Sequence, residues 1–266
     1  MKQLGMRQLF SLALAECRNA WRRFVFFIVC LAIGVGAVMT IKSFSAILNT
    51  TIEREAKSLL AADIEIKSSW AQGPEDITFQ KKILPQGSEF LFIKEMKTMA
   101  QYAKAGSGRS SLLVELKSLS LSHPLYPMYG KLKTRPDGSL SELLKDNGVL
   151  VEPSFLLRTG LQLRDQFQLG NAQVQVSGEI LAEPDRVSRS FSIGPRLMVS
   201  SKTLAMAKLV RPGSRVRHRT LIRLPEETEL KSNVHLLEEG LADKTATIRT
   251  YKSIQSSLTA SINQIG

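Results

Sequence analysis

Apolar positions fall into three rhythms along the chain. From Phe24 to Ile41 they run together as FVFFIVCLAIGVGAVMTI, with no charge and only Thr40 as a polar break. At about 1.5 Å per helical residue this run reaches roughly 27 Å, close to the hydrocarbon thickness of a bilayer. It predicts a transmembrane helix over residues 24–42. Before it, Met6, Phe10, Ala13, Cys17 and Trp21 recur on one helical face, with Arg7, Ser11, Arg18 and Arg22 on another. That pattern suits an amphipathic helix in the membrane interface over residues 1–23, or an N-terminal extension of the same membrane helix. After it, Ile47, Thr51, Ser58 and Leu59 keep helical spacing without glycine or proline, predicting a stalk helix over residues 43–61.

Two other readings of the apolar run fit less well. A cleaved signal peptide has a shorter apolar stretch and a small-residue cleavage site, whereas Lys42-Ser43-Phe44 follows here. A soluble core helix rarely carries apolar residues all round. Within the span, Ala32 and Gly36 stand four apart, the small-xxx-small spacing that lets a partner helix pack closely.

From residue 62 the period shifts toward two. Strands are predicted at 62–67, 90–104, 110–120, 149–151, 166–169, 172–181, 196–200, 215–224 and 245–250. Helices are predicted at 153–159, 201–209 and 226–241, with Ser200 or Ser201 as the cap of the second. Gly106-Ser107-Gly108 joins two of the strands, as a hairpin or a short mobile connection. Residues 70–88, with Gly73, Pro74, Pro85 and Gly87, read as loop or short turns, and His123 to Gly130 as irregular chain. The result is an α+β domain over residues 62–250. Tyr251, Ile254, Leu258, Ile262 and Ile265 then recur at helical spacing. They predict a return helix over residues 251–266 that leads toward a second membrane span beyond Gly266.

Composition adds a partner class and a direction. A hydrophobic share of 43% and a charged share of 23% argue against bulk disorder, and a net charge of +12 favours anionic partners. The membrane run makes phospholipid the partner rather than nucleic acid. Lys2, Arg7, Arg18, Arg22 and Arg23 precede the span against Glu16 alone, whereas Lys42, Glu53, Arg54, Glu55 and Lys57 follow it. The positive-inside rule therefore puts the N-terminus in the cytoplasm and the main domain outside. Cys17 and Cys30 both lie at or before the membrane, so the exported part folds without disulfides.

Few motifs carry chemistry. Gly106-Ser107-Gly108-Arg109 lacks the phosphate-binding loop pattern, so ATP hydrolysis would need another chain. His123, His218 and His235 have no metal-ligand spacing, there is no nucleophile elbow, and no catalytic residue is assigned. Asn49-Thr50-Thr51 fits a glycosylation sequon, but chance explains it better beside a membrane helix. Arg215, Arg217, Arg219 and Arg223 share one strand face by their even spacing, with Arg211 nearby. They fit an anionic ligand or lipid headgroup held by guanidinium forks. They equally fit a solvated face, or pairing with Glu226 and Glu227, which is the more ordinary outcome. Arg186 and Arg189 carry the same two readings.

Several segments resemble the FtsX/MacB-type ABC transporter permeases, and most closely their YbbP-like branch. Leu59-Leu60-Ala61-Ala62-Asp63-Ile64 is similar to the signature at the end of the family's stalk, and Tyr126-Pro127-Met128-Tyr129-Gly130 to its tyrosine-proline turn. Gly178-Glu179-Ile180, Glu183-Pro184-Asp185, Pro195-Arg196-Leu197-Met198 and Pro212-Gly213-Ser214-Arg215-Val216 match in order and spacing. The chain departs from the pattern at Ala61, where glycine is usual, and at Arg164-Asp165, where glycine-aspartate is common. The turn at Arg164 is therefore expected to differ in shape.

The resemblance implies a periplasmic core domain of the MacB type in two α/β subdomains, carried on two membrane helices in the bacterial inner membrane. It implies a separate ATPase subunit that binds the ATP, no cofactor in this chain, and mechanical transmission of ATP-driven movement to the periplasm. Expected partners are membrane lipid, other transmembrane helices or a second copy, and a periplasmic protein, with lipid-like or hydrophobic molecules as substrates. A single-pass anchored binding or assembly module without an ATPase is the alternative.

Overall fold

The computed structural model describes residues 6–104, 108–123, 126–186, 193–225 and 228–256. The chain divides into two compact units, Met1–Thr51 and Ile52–Gly266. Helix α1 (Met6–Leu60) runs the length of the first unit. Of the two helical faces expected over residues 1–23, only Trp21, which is exposed, falls among the described side chains. Phe26 is 71% exposed and Ile33 67% exposed, a surface that water disfavours and lipid accepts. Among the described residues, one helix is long and apolar enough to cross a membrane, within Phe24–Leu60.

The second unit is a mixed α/β domain. In chain order it holds β1 (Ile64–Ser68), α2 (Pro74–Ile83), β2 (Glu89–Lys104), β3 (Gly108–Leu119), β4 (Lys133–Arg135), α3 (Leu140–Leu143) and β5 (Gly148–Val151). There follow α4 (Pro153–Thr159), β6 (Gln166–Leu169), β7 (Ala172–Ala182), β8 (Arg196–Ser200), α5 (Ser201–Ala207), β9 (Val216–Arg223), α6 (Leu230–Gly240) and β10 (Thr247–Thr250). The described strands join one sheet in the order β10-β1-β9-β2-β3-β8-β5-β7-β4. Strand β6 pairs with both β2 and β7, which closes β2, β3, β8, β5, β7 and β6 into a ring.

Ring closure gives the sheet an inside. Val114, Leu116, Val149, Val151, Val174, Val176, Leu197 and Val199 face it at alternate strand positions, with Phe155 of α4 and Leu204 of α5 completing the cluster. Beyond the ring, β9, β1 and β10 extend the sheet. There Ile64, Ile66 and Ile222 pack with Leu230 and Leu237 of α6. A third cluster, with Leu91, Ile93, Leu119, Leu150, Met198 and Leu221, lies under Tyr126, Met128 and α3.

The strands and helices read from the hydrophobic period occur with ends moved by a few residues, and Ser200 caps α5 by accepting from the Thr203 N–H at 3.0 Å. Residues 70–88 correct the expectation, because Pro74–Ile83 is the helix α2. Pro74 occupies the first helical position, where its missing N–H costs nothing. Asp76 accepts from the Gly73 N–H at 2.9 Å, and Glu75 and Asp76 open the helix while Lys81 and Lys82 close it, matching its dipole. Glycine-proline here is a start signal. Strand β4 and helix α3 are also absent from the sequence reading, being too short to show a period.

Candidate functional site

Four neighbouring strands each carry two charges, two residues apart: Glu65 and Lys67 in β1, Arg217 and Arg219 in β9, Glu95 and Lys97 in β2, Glu115 and Lys117 in β3. Alternation puts all eight on one face of the sheet. The chain after β7 then lays Glu183 and Asp185 over that face. Lys117 is fully buried, donating to Glu183 Oε1 at 2.6 Å and to Asp185 Oδ2 at 2.9 Å. Its ammonium also lies 3.9 Å from the centre of the Tyr126 ring, whose hydroxyl donates to Asp185. Arg219 bonds Glu65 at 2.5 Å, Glu95 at 2.8 Å and Asp185 at 2.8 Å. Arg196 lies 3.4 Å from Glu95 and 3.6 Å from Glu183.

The charges set one another's ionisation. Burial pushes the Glu95 carboxyl up, but Arg219, then Lys117 and Arg196, outweigh it and bring it down to about 2 from an ordinary 4.5. Burial likewise opposes ionisation of Asp185, and Lys117 and Arg219 overcome it to hold that carboxyl well below its usual range. Tyr126 is pushed up by burial and by Asp185. A lysine with no exposed surface and its donors given to carboxylates reaches no substrate. This network braces the sheet.

The sequence reading grouped four arginines that the fold separates. Arg219 belongs to the buried network, and Arg223 pairs with Glu89. Arg215 and Arg217 are exposed and line an open groove of about 1110 Å³, together with Trp70, Lys97 and Arg211. Arg186 pairs with Glu152 at 2.8 Å. Arg189, Glu226 and Glu227 lie outside the described residues. The apolar period of β3 does not mark Lys117. The signal that marks it is the repeated charge spacing on four strands.

A second cluster sits where α1 ends. Asp63, nearly buried, accepts from the Tyr129 hydroxyl at 2.9 Å and from the Leu224 N–H at 2.9 Å. Lys57 lies 3.6 Å from Asp63 and 4.6 Å from the centre of the Tyr251 ring. The Tyr251 N–H donates to the Asp63 carbonyl at 3.1 Å. Residues 251–256, the described start of the return helix, are therefore pinned to the first strand and to the end of α1. Burial and Asp63 push the Tyr129 hydroxyl above its usual range. Gly130, at φ +82, closes this corner, since an added Cβ would meet Ser58 Oγ at 2.5 Å and Pro184 Cβ at 2.8 Å.

No protein-family profile matches the chain. It is 28% identical over 204 residues to an uncharacterized ABC transporter permease, YbbP, of Escherichia coli (strain K12). That match covers 74% of this chain, and the chain spans 23% of the length of that relative. Among solved structures, the periplasmic region of MacB from Actinobacillus actinomycetemcomitans overlays with a TM-score of 0.47 at 14% identity, covering 74% of this chain and 92% of that one. The extracellular domain of the noncanonic ABC-type transporter YknZ from Gram-positive bacteria overlays with a TM-score of 0.43 at 11% identity, covering 70% and 100%. The segments that hold Asp63, Tyr126–Gly130, Glu183–Asp185 and Arg196 meet in the two clusters just described, and in sequence the chain is similar to an ABC transporter permease.

Proposed function

We propose that this chain is permease-subunit sequence that carries ATP-driven movement from the cytoplasmic side to an extracytoplasmic domain. In this reading α1 crosses the inner membrane with its N-terminus in the cytoplasm. A separate ATPase subunit binds and hydrolyses ATP, and the chain itself catalyses nothing. Ala32 and Gly36 offer a close-packing face to other transmembrane helices or a second copy. Nothing described lies within 4 Å of where a Gly36 side chain would begin. The substrates are lipid-like or hydrophobic molecules met at the membrane's outer face.

The observation that carries the reading is the corner at Asp63. Helical residues enter the domain at Lys57 and leave it at Tyr251, and both are tied to one buried residue, Lys57 to the Asp63 carboxylate and the Tyr251 N–H to the Asp63 backbone carbonyl. A domain gripped at one corner by two helices can be moved through them. An anchored binding module needs one tether only.

The test is Thr51→Pro in the protein co-purified with its ATPase. Proline removes a ladder hydrogen bond and clashes with the preceding turn, at a cost of about 3 kcal/mol in a helix interior. ATP hydrolysis is expected to continue while ATP-dependent changes in hydrogen exchange across residues 62–250 disappear. Changes that persist in the variant would count against transmission through a rigid α1, and failure of any ATPase to co-purify would favour the anchored module instead.

A further inference from the structure

The groove beside the buried network has cations left over. Arg217 stands opposite Glu95 in the sheet register, the position from which a carboxylate would normally neutralise it. The Glu95 carboxylate is turned instead to Arg219 at 2.8 Å and Arg196 at 3.4 Å. Glu115, opposite Lys97, lies 4.0 Å from Arg196. Among the described residues, neither Arg215 nor Arg217 nor Lys97 has an ion-pair partner. Arg211 gives its Nε–H to the Lys208 carbonyl at 3.1 Å and, among the described residues, has no carboxylate partner.

An apolar anchor stands among these cations. Trp70 is 71% exposed, and Val210, in the same lining, is 45% exposed. The Trp70 backbone is fixed, since its N–H donates to Ser68 Oγ at 2.9 Å and the Ser68 hydroxyl donates to Asp243 at 2.5 Å. The indole is thus held in water by a rigid turn. Exposed tryptophan beside unpaired arginine is the composition that dominates protein–protein binding energy. The groove, at about 1110 Å³ and open, exceeds the roughly 300–1,000 Å³ of small-molecule pockets. Its apolar residues are interleaved with charges, so no continuous dry wall runs along it for an acyl chain.

We propose that this groove docks an acidic segment of a partner protein, its carboxylates on Arg215 and Arg217 and an apolar side chain against Trp70. The inference gives a surface and a chemistry to the extracytoplasmic partner. It does not depend on an ATPase, so its failure and that of the mechanical reading are separable.

The chain contains two tryptophans, Trp21 and Trp70, so Trp21→Phe leaves the groove residue as the only indole reporter. The full chain in non-ionic detergent is titrated with a synthetic peptide alternating Glu and Leu, and with its Lys and Leu counterpart. Trp70 emission should shift to the blue and saturate with the acidic peptide alone, and the affinity should fall as salt rises. Arg215→Glu with Arg217→Glu should weaken binding at least about tenfold, the factor that 1.4 kcal/mol represents. Both residues are exposed, so that double variant should still unfold cooperatively, slightly below the parent because Arg217→Glu sets a like charge opposite Glu95. Arg215→Lys with Arg217→Lys should bind with intermediate affinity, because a point charge remains without the fork. Equal affinity in the charge-reversed variant, or no response to the acidic peptide, overturns the proposal. A response to phosphatidylglycerol vesicles or inorganic phosphate without one to the peptide overturns it in favour of a lipid or phosphate site.

Discussion

Glu95 is held by Arg219 and Arg196 and ionises in the fold at about 2 against an ordinary 4.5. It therefore stabilises the folded state fully above about pH 4.5, and that contribution is lost as the pH falls toward 2. Asp185, held low by Lys117 and Arg219 against the effect of burial, acts in the same direction. Lys117→Met tests both the network and its pH dependence. Removing one partner of a buried ion pair leaves an uncompensated charge, at about 3–5 kcal/mol. The variant should unfold at lower temperature near neutrality, and its acid transition should move to higher pH. An acid transition at the parent's pH would show that Lys117 does not hold Asp185 ionised. A second residue-scale case concerns the two departures from the permease pattern. Ala61 has φ +60 and Arg164 has φ +73, the left-handed region that glycine adopts freely. Sequence comparison marked those positions, but the conformation came only from the structure. Arg164→Gly removes a left-handed penalty of about 1–2 kcal/mol and adds unfolded-state entropy of about 0.5–1 kcal/mol. Its melting temperature should rise, and a fall would mean that the Arg164 side chain contributes more than its backbone costs.

Strands and helices of the domain were legible where a period could repeat. Strand β7 alternates buried and exposed along most of its length, and the alternation is plain in Ala172 to Ala182. Helix α2 was not, because Gly73 and Pro74 read as chain breakers when they open a helix. The corner at Asp63 was half legible. Asp63 and Tyr129 lay in segments already matched to permeases, whereas Lys57 and Tyr251 passed as ordinary helix positions. Their contact crosses nearly the whole domain in sequence, and no local pattern encodes such a pairing. Lys57 over Tyr251 is a partly exposed cation–π contact, worth about 0.5–1 kcal/mol. A double-mutant cycle with Lys57→Met and Tyr251→Leu should return a coupling of that order in thermal unfolding. If the two losses simply add, the corner is not a joint, and the element-level support for transmission goes with it.

For the molecule as a whole, the sequence carries its membrane address in one place and its sheet topology nowhere. Ring closure depends on β6 bridging β2 and β7, pairings set by register across distant segments. The membrane address is local: apolar Phe24 to Ile41, with Lys2, Arg7, Arg18, Arg22 and Arg23 before it. Each lysine or arginine near the start of a span favours the cytoplasmic side, so the cluster predicts a domain on the opposite face. Ser69 is exposed in the domain, and the natural cysteines, Cys17 and Cys30, lie at or before the membrane in that arrangement. With Cys17→Ser and Cys30→Ser as background, Ser69→Cys should react with a membrane-impermeant maleimide in intact spheroplasts. A cysteine replacing Arg7 in the same background should react only after lysis. The reverse pattern would place the groove, the ion network and the Asp63 corner in the cytoplasm. Movement would then have no membrane to cross, and the chain could not deliver work to the outer face.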